Sequence, residues 1–194
     1  METKTIAIVG AADLGRRIAH AAVLAGYHTI LEDISLSALE QGIAWIAQSL
    51  DDEVSCGKIG ARVRDAALAN LSAANSAEDA SREADLIIEA VSDEMEMKIE
   101  LFTIFDKFAK PGAIFATTTA SLSVTEMADV TFCPERCIGM RFVTDAQKAE
   151  RLELVKGRET SEETIAACCK VARRMGMDVS LLNDEQIMTA SSSE

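Results

Sequence analysis

Short apolar runs of three to six residues recur along the chain and alternate with segments whose apolar positions repeat at helical spacing. Runs of this length, bounded by turn residues, are typical of strands that are buried on both faces. The predicted strands cover residues 5–9, 29–31, 84–89, 113–116, 138–142, 152–155 and 177–182.

The segments between these runs carry the spacing and the end signals of helices. Ser35 and Ser161 each precede such a segment and are predicted to cap it, since a serine hydroxyl accepts from a free N–H of the first turn. The predicted helices cover residues 14–25, 36–50, 61–71, 77–83, 94–109 and 124–130, with a last one from Ser161 to about Met175.

Strands that alternate with helices favour one architecture. We therefore predict an α/β fold with a Rossmann-like, doubly wound and mostly parallel sheet that has helices on both faces. The chain of 194 residues is long enough for one such domain and too short for two of ordinary size. We place the domain in residues 1–184 and a C-terminal tail in residues 185–194.

The turn after the first strand reads Gly10-Ala-Ala-Asp-Leu-Gly15. In a dinucleotide-binding loop of the form GxGxxG, the first glycine makes the turn, the second lets backbone approach the pyrophosphate, and the third lets helix and strand pack closely. Gly10 and Gly15 are in register, whereas Ala12 stands at the middle glycine. Asp13 adds a carboxylate where phosphates would bind, which Arg16 and Arg17 can offset. Leu14 completes the predicted loop.

The second strand ends in Glu32 and Asp33, about 20 residues beyond the loop. A carboxylate at this place accepts hydrogen bonds from the ribose hydroxyls and repels a 2′-phosphate, so the predicted cofactor is NAD rather than NADP. The other interpretation is two solvated acids at the end of a strand.

Composition narrows the possible partners. The formal net charge is −13, which disfavours binding to nucleic acid or to an anionic membrane surface. No apolar run approaches the ~20 residues that span a bilayer, and no signal peptide is visible. The odd number of cysteines, five, favours reduced and mostly buried thiols over a disulfide framework or a metal site. We therefore expect a cytoplasmic protein without a metal.

Four segments resemble the NAD-binding domain of the 3-hydroxyacyl-CoA dehydrogenases, enzymes of fatty acid metabolism. They are Asp33-Ile-Ser35, Ile87-Ile-Glu-Ala-Val91 followed by Lys98, Phe115-Ala-Thr-Thr-Thr-Ala-Ser-Leu-Ser123 and Ile138-Gly-Met-Arg-Phe142. The resemblance runs from Lys4 to about Asp184. It implies an oxidoreductase fold that binds NAD(H).

The resemblance also assigns individual positions. Glu89 matches an acid that faces the cofactor, and Lys98 matches a basic residue near it. Thr118 replaces the asparagine that contacts the cofactor, and Ala120 replaces the serine that orients the substrate.

Arg141 stands where the family has its general-base histidine, and Glu153 matches the acid that orients that histidine. Arginine stays protonated and cannot act as a base. We therefore expect no intact catalytic set, and a direct Arg141–Glu153 ion pair, with bidentate geometry, in place of the catalytic pair.

The family also has a helical C-terminal substrate domain, of whose entry motif only Asp184 is found here. The acidic Asp51-Asp-Glu53 disfavours coenzyme A at the helices expected to hold it.

Three functions stay open. One is an NAD-binding protein impaired in dehydrogenase chemistry, acting as a regulator, a scaffold or one subunit of a split enzyme, with a separate helical domain as its partner. Another is an oxidoreductase with a rewired site that uses Lys98 or Glu153 with Thr119 and Ser121. The third is an interaction module that binds no nucleotide, marked by Ala12 and Asp13. We also expect a homodimer, with Ile187 and Met188 docking on a neighbour.

Overall fold

The computed structural model describes residues 2–144 and 150–184, which form one eight-stranded sheet with helices on both faces. The strands are β1 (Thr5–Val9), β2 (His28–Glu32), β3 (Leu71–Ala73), β4 (Leu86–Glu89), β5 (Ile114–Thr117), β6 (Cys137–Thr144), β7 (Glu150–Lys156) and β8 (Asp178–Asn183). The helices are α1 (Asp13–Leu24), α2 (Leu36–Ser55), α3 (Ala61–Ala69), α4 (Ala77–Glu83), α5 (Met95–Phe108), α6 (Val124–Ala128) and α7 (Glu162–Arg174).

The strand order is β3-β2-β1-β4-β5-β6-β7-β8. All neighbouring pairs are parallel except β6 and β7, which are antiparallel. The chain reverses its direction of winding between β1 and β4, and ligands of such sheets bind outside the carboxyl ends of the strands at this point. The predicted fold class is confirmed.

Alternate residues of the central strands enter two separate cores, as expected for a sheet covered on both sides. Ile6 and Ile8 pack in the larger core with α1, α2, α3 and α7. Ala7 and Val9 pack in the smaller core with α4, α5 and α6, where the rings of Phe102, Phe105 and Phe115 meet. Each face of the sheet is therefore covered by a largely apolar layer.

Helix ends follow the sequence signals closely. Ser35 accepts a hydrogen bond from the N–H of Ala38, and Ser161 accepts one from the N–H of Thr164, so both predicted caps are confirmed. Helix α2 continues to Ser55, beyond the predicted end near Leu50, and includes the acidic residues 51–53. Strand β3 was not predicted, and its first residue, Leu71, was placed at the end of a helix. It is a three-residue edge strand without a fully buried side chain, so no apolar run marks it.

Three cysteines, Cys133, Cys137 and Cys168, are buried as predicted. Burial raises the pKa of the Cys137 and Cys168 thiols to about 12. These thiols therefore stay protonated near neutral pH and serve as small apolar side chains. No helix in the described part of the chain is both long and apolar enough to cross a membrane.

Asp184 closes the described chain and has a structural role that the sequence did not indicate. It is buried, and its carboxylate accepts from the Ser123 hydroxyl at 2.7 Å and from the N–H groups of Val124 and Thr125 at 2.9 Å each. Burial acts to raise its pKa, but these hydrogen bonds outweigh burial and hold the pKa below its usual value. The carboxylate thus ties the end of β8 to the start of α6.

We expect Asp184→Ala to lower the free energy of unfolding by about 1–3 kcal/mol at neutral pH, because it leaves buried donors without an acceptor. Since the folded-state pKa is lowered, the contribution is complete above the unfolded pKa of about 4 and is lost as the pH falls through the folded value. Denaturant unfolding at pH 7 and pH 3 measures both effects. The control is Asp178→Ala, at the exposed start of β8. A loss equal to that of the control would contradict this role.

Candidate functional site

The turn between β1 and α1 lies against the chain that leaves β4. Gly10 has a φ of +108°, and a Cβ at this position would lie 2.7 Å from the carbonyl oxygen of Ala90. A Cβ on Gly15 would lie 1.7 Å from the carbonyl oxygen of Gly10. Both contacts are with backbone and cannot relax, so both positions require glycine. The turn is therefore held as close to the sheet as a phosphate-binding loop requires.

Ala12, at the position of the middle glycine, is the N-cap of α1 in an extended conformation. Its side chain is exposed, and Gly10 and Gly15 on either side of it make the close backbone contacts described above. No described side chain accepts from the first N–H groups of α1, those of Asp13, Leu14 and Gly15. Unpaired N–H groups at a helix N-terminus are a suitable receptor for an anion.

Asp13 lies at this same helix end, but arginines neutralise it. Its carboxylate is 2.8 Å from an Arg16 nitrogen and 3.8 Å from an Arg17 nitrogen. The pairs are exposed and of low energy. They nevertheless reduce the repulsion that a carboxylate exerts on an incoming phosphate, as the sequence suggested.

Asp33 contacts the turn directly. One carboxylate oxygen accepts from the N–H of Ala11 and the other from the N–H of Ser35, each at 2.8 Å. Each oxygen of an ionised carboxylate accepts more than one hydrogen bond, so capacity for ribose hydroxyls remains. We expected Glu32 to be a second acid on the open edge, but it is not. Its side chain points to the face of the sheet that α4 and α5 cover and is only 4% exposed.

Glu89, at the end of β4, forms a buried ion pair with Lys98 of α5. Both side chains have no exposed surface, and the Lys98 Nζ lies 2.8 and 2.7 Å from the two carboxylate oxygens. The carboxylate also accepts from the N–H of Val91 and from the Thr117 hydroxyl, each at 2.7 Å. The sequence predicted cofactor contacts for Glu89 and Lys98, and these stay predictions; the geometry places the pair beneath the site.

The loop after β5 is fixed by a second acid, Asp93, which sequence reasoning missed. Its carboxylate accepts from the N–H of Ala120 at 3.1 Å and lies 3.4 Å from the Lys98 Nζ. Burial acts to raise its pKa, but hydrogen bonds from Thr119, Ala120 and Lys98 outweigh it, and the pKa is lowered. The only sequence signal was an acid between the predicted strand at residues 84–89 and the predicted helix at residues 94–109.

Thr118 and Ala120 lie at the same edge. The Thr118 N–H donates to the carbonyl oxygen of Glu89 at 3.1 Å, and its side chain is half-buried. Ala120 is exposed and presents a methyl group where the family has a serine hydroxyl. Five of the predicted positions, Gly10, Ala12, Asp33, Thr118 and Ala120, therefore lie along one edge of the sheet.

Arg141 and Glu153 face each other in the antiparallel pair of β6 and β7. An Arg141 Nη1 lies 3.5 Å from a Glu153 carboxylate oxygen, and both side chains are half-buried. The predicted ion pair is confirmed. The expected bidentate geometry is not formed, because the distance of 3.5 Å is longer than the ~2.7–2.9 Å of the hydrogen bonds in a bidentate arginine–carboxylate pair.

The Glu89–Lys98 pair gives a test of how the site is held together. We expect Lys98→Met to destabilise the fold by about 3–5 kcal/mol, because an unpaired carboxylate remains buried. Glu89→Gln combined with Lys98→Met should recover part of this loss. Unfolding by denaturant measures the free energies, with Lys107→Met on the exposed face of α5 as the control. A double variant no more stable than the single one would show that the ion pair is not the cause.

Known proteins share both the sequence and the shape of this chain. It is 33% identical over 184 residues to a probable 3-hydroxybutyryl-CoA dehydrogenase of Bacillus subtilis, covering 95% of this chain and 64% of that protein. It is 33% identical to the 3-hydroxybutyryl-CoA dehydrogenase of Bradyrhizobium diazoefficiens, with coverages of 93% and 61%. The solved (S)-3-hydroxybutyryl-CoA dehydrogenase of Ralstonia eutropha superposes with a TM-score of 0.88 at 30% identity, covering 94% of this chain and 64% of that one.

The chain thus spans just under two thirds of the length of these relatives. The family model for the 3-hydroxyacyl-CoA dehydrogenase NAD-binding domain matches residues 5–185. NAD fits the residues present, because the two glycines let the turn lie close against the sheet and the N-terminus of α1 offers unpaired donors. The chain belongs to the 3-hydroxyacyl-CoA dehydrogenase family, of which it carries the NAD-binding domain.

Proposed function

We propose that this chain binds NAD(H) while being impaired in the dehydrogenase chemistry of its relatives. The observation that carries the proposal is the Arg141–Glu153 ion pair at the position of the family's histidine and acid. Bound NAD supplies a hydride acceptor. Oxidation of a secondary alcohol also needs a base for the hydroxyl proton, worth ~10²–10⁴-fold.

Neither member of the pair supplies that base. The guanidinium stays protonated at all relevant pH values, and it holds the Glu153 carboxylate in an ion pair at 3.5 Å. Ala120 removes a hydroxyl donor that would otherwise stabilise the developing oxyanion. The cofactor half of the site is thus retained, whereas the proton-transfer half is replaced by a fixed charge pair.

The second hypothesis for this site is an oxidoreductase with rewired catalytic residues, and the contacts of Lys98 and Thr119 argue against it. Lys98 has no exposed surface and is held by Glu89 and Asp93. The Thr119 oxygen is engaged by the N–H groups of Ser121 and Leu122. Groups that are buried and fully engaged cannot reach a substrate proton without breaking the structure.

A module without nucleotide is disfavoured by the open end of α1 and by Asp33, which holds the loop through the Ala11 N–H and keeps acceptor capacity for a ribose. A helical substrate domain or a second copy of the chain is proposed as the partner, since the relatives extend beyond the region that this chain matches. Ile187 and Met188, which prompted the homodimer prediction, lie outside the described residues, and that prediction stands as it was made.

We expect NADH to bind more tightly than NADPH by at least about tenfold, which corresponds to about 1.4 kcal/mol. The Asp33 carboxylate repels a 2′-phosphate at the ribose. Calorimetry with both nucleotides measures the ratio, and Asp33→Asn should narrow it because the amide carries no charge. The control is Asp52→Asn on the exposed surface of α2. Equal affinities in the unchanged protein would contradict the ribose role of Asp33.

We expect the purified chain to reduce acetoacetyl-CoA with NADH at a rate near background. The rate of NADH consumption, measured by absorbance, is compared with that of the Ala120→Ser, Arg141→His double variant, which restores both family side chains. Any gain should need both substitutions and should be measured with and without a separate helical domain. A turnover of ~1–10³ per second by the unchanged chain would show that the chemistry is not impaired.

A further inference from the structure

Two buried acids occupy one row at the carboxyl edge of the sheet. Val9 of β1 is in register with Glu32 of β2 on one side and with Glu89 of β4 on the other. All three side chains point to the face covered by α4 and α5, because side chains alternate along a strand and Ile30 and Ile87, two positions earlier, pack in that core. The two acids are thus about 10 Å apart, separated by one strand.

The acids differ in their partners. Glu89 is balanced by Lys98 and receives four hydrogen bonds. Glu32 is 4% exposed, and no described residue donates a hydrogen bond or forms an ion pair with its side chain. A buried carboxylate without a cation is costly, and the usual outcome is that the group takes up a proton.

The groups around Glu32 reinforce this. Val9 on β1 and Ala74 after β3 are apolar. The charged groups that face it are both acidic, namely Asp33 at the start of the turn to α2 and Glu78 on α4. Burial in the first place, and then the charges of Asp33 and Glu78, raise the pKa of Glu32 to about 7. Near neutral pH the group is thus divided between its two protonation states.

Glu32 also adjoins the place where a dinucleotide would be held. Asp33, the next residue, is the proposed ribose acid, and Ile34, the one after it, is fully exposed. An exposed apolar side chain beside the ribose acid offers a surface for the base attached to that ribose. The three residues 32–34 therefore border the adenosine end of the site.

We propose that Glu32 is the proton-uptake group of this site, so that the dinucleotide binds to the form in which the Glu32 side chain is neutral. The inference rests on the proposed binding of NAD(H) and adds to it a dependence on pH. A bound dinucleotide covers the edge of the sheet and brings two phosphate charges to the loop. Both effects, desolvation and added negative charge, favour the neutral acid over the carboxylate.

The expected linkage has a definite sign. With a pKa of about 7 in the free protein, the Glu32 side chain is mostly neutral at pH 6 and about nine-tenths ionised at pH 8. Since NADH binds to the neutral form, it should bind about tenfold more weakly at pH 8 than at pH 6. Calorimetry at pH 8, in buffers of different ionisation heats, should show the uptake of nearly one proton for each NADH bound.

The Glu32→Gln variant separates this group from the others that titrate. It is a neutral side chain of the same shape, so its NADH affinity should match that of the unchanged protein at pH 6 and vary little up to pH 8, without proton uptake. Glu83→Gln removes the same charge from an exposed position on α4 and should retain the full pH dependence. A second readout needs no ligand. Because the pKa of Glu32 is raised in the folded state, the denaturant midpoint of the unchanged protein, relative to that of Glu32→Gln, should fall as the pH rises from 5 to 8.

These experiments distinguish a failure of the proposed proton uptake from a failure of the proposed NAD(H) binding. If NADH binds with the same pH dependence in the unchanged protein and in Glu32→Gln, another group takes up the proton and the inference is wrong while the proposed function stands. If NADH binds at no pH, the proposed function is wrong and the inference falls with it.

Discussion

The close approach of the β1–α1 turn to the end of β4 is the constraint on which the candidate site depends. Gly10 lies against the Ala90 carbonyl group, and Gly15 lies against Gly10, so neither position has room for a side chain. This contact brings the N-terminus of α1 to the point where the winding of the sheet reverses. Asp33 then fixes the turn from the other side by accepting from the N–H of Ala11. The receptor for a dinucleotide is thus a backbone structure, and side chains only refine it.

Acidic side chains around this edge are stabilised in different ways, which follow from their surroundings. Glu89 is paired with a buried lysine, and Asp93 and Asp184 are held by N–H and O–H donors that lower the pKa of each. Glu32 has neither cation nor donor among the described residues, and its pKa is raised. The same functional group is therefore a structural anchor at three positions and a titrating group near neutral pH at the fourth.

The Arg141–Glu153 pair shows how a catalytic position can change while its structural contact is kept. The register of β6 and β7 places the two residues opposite each other whatever their identity. An arginine at this position keeps an attraction between the strands and, because it stays protonated, cannot act as a base. Together with Ala120, this pair is the basis of the proposal that the chain keeps the NAD-binding half of its family and is impaired in the chemistry of its relatives.

The sequence by itself determined the fold class, the glycine turn, two serine caps and the Arg141–Glu153 pair, because these follow from local periodicity, local hydrogen bonding or family position. It did not determine strand β3, whose three residues carry no apolar run and are a strand only because β2 lies beside them. It also missed the roles of Asp93, Asp184 and Glu32. Asp184 meets Ser123 across 61 residues of chain, and the burial of Glu32 depends on β1, β3 and α4 together. The local sequence does not determine which distant donors or charges surround a carboxylate. Only the tertiary structure therefore decided whether each acid forms an ion pair, accepts hydrogen bonds or has no partner among the described residues.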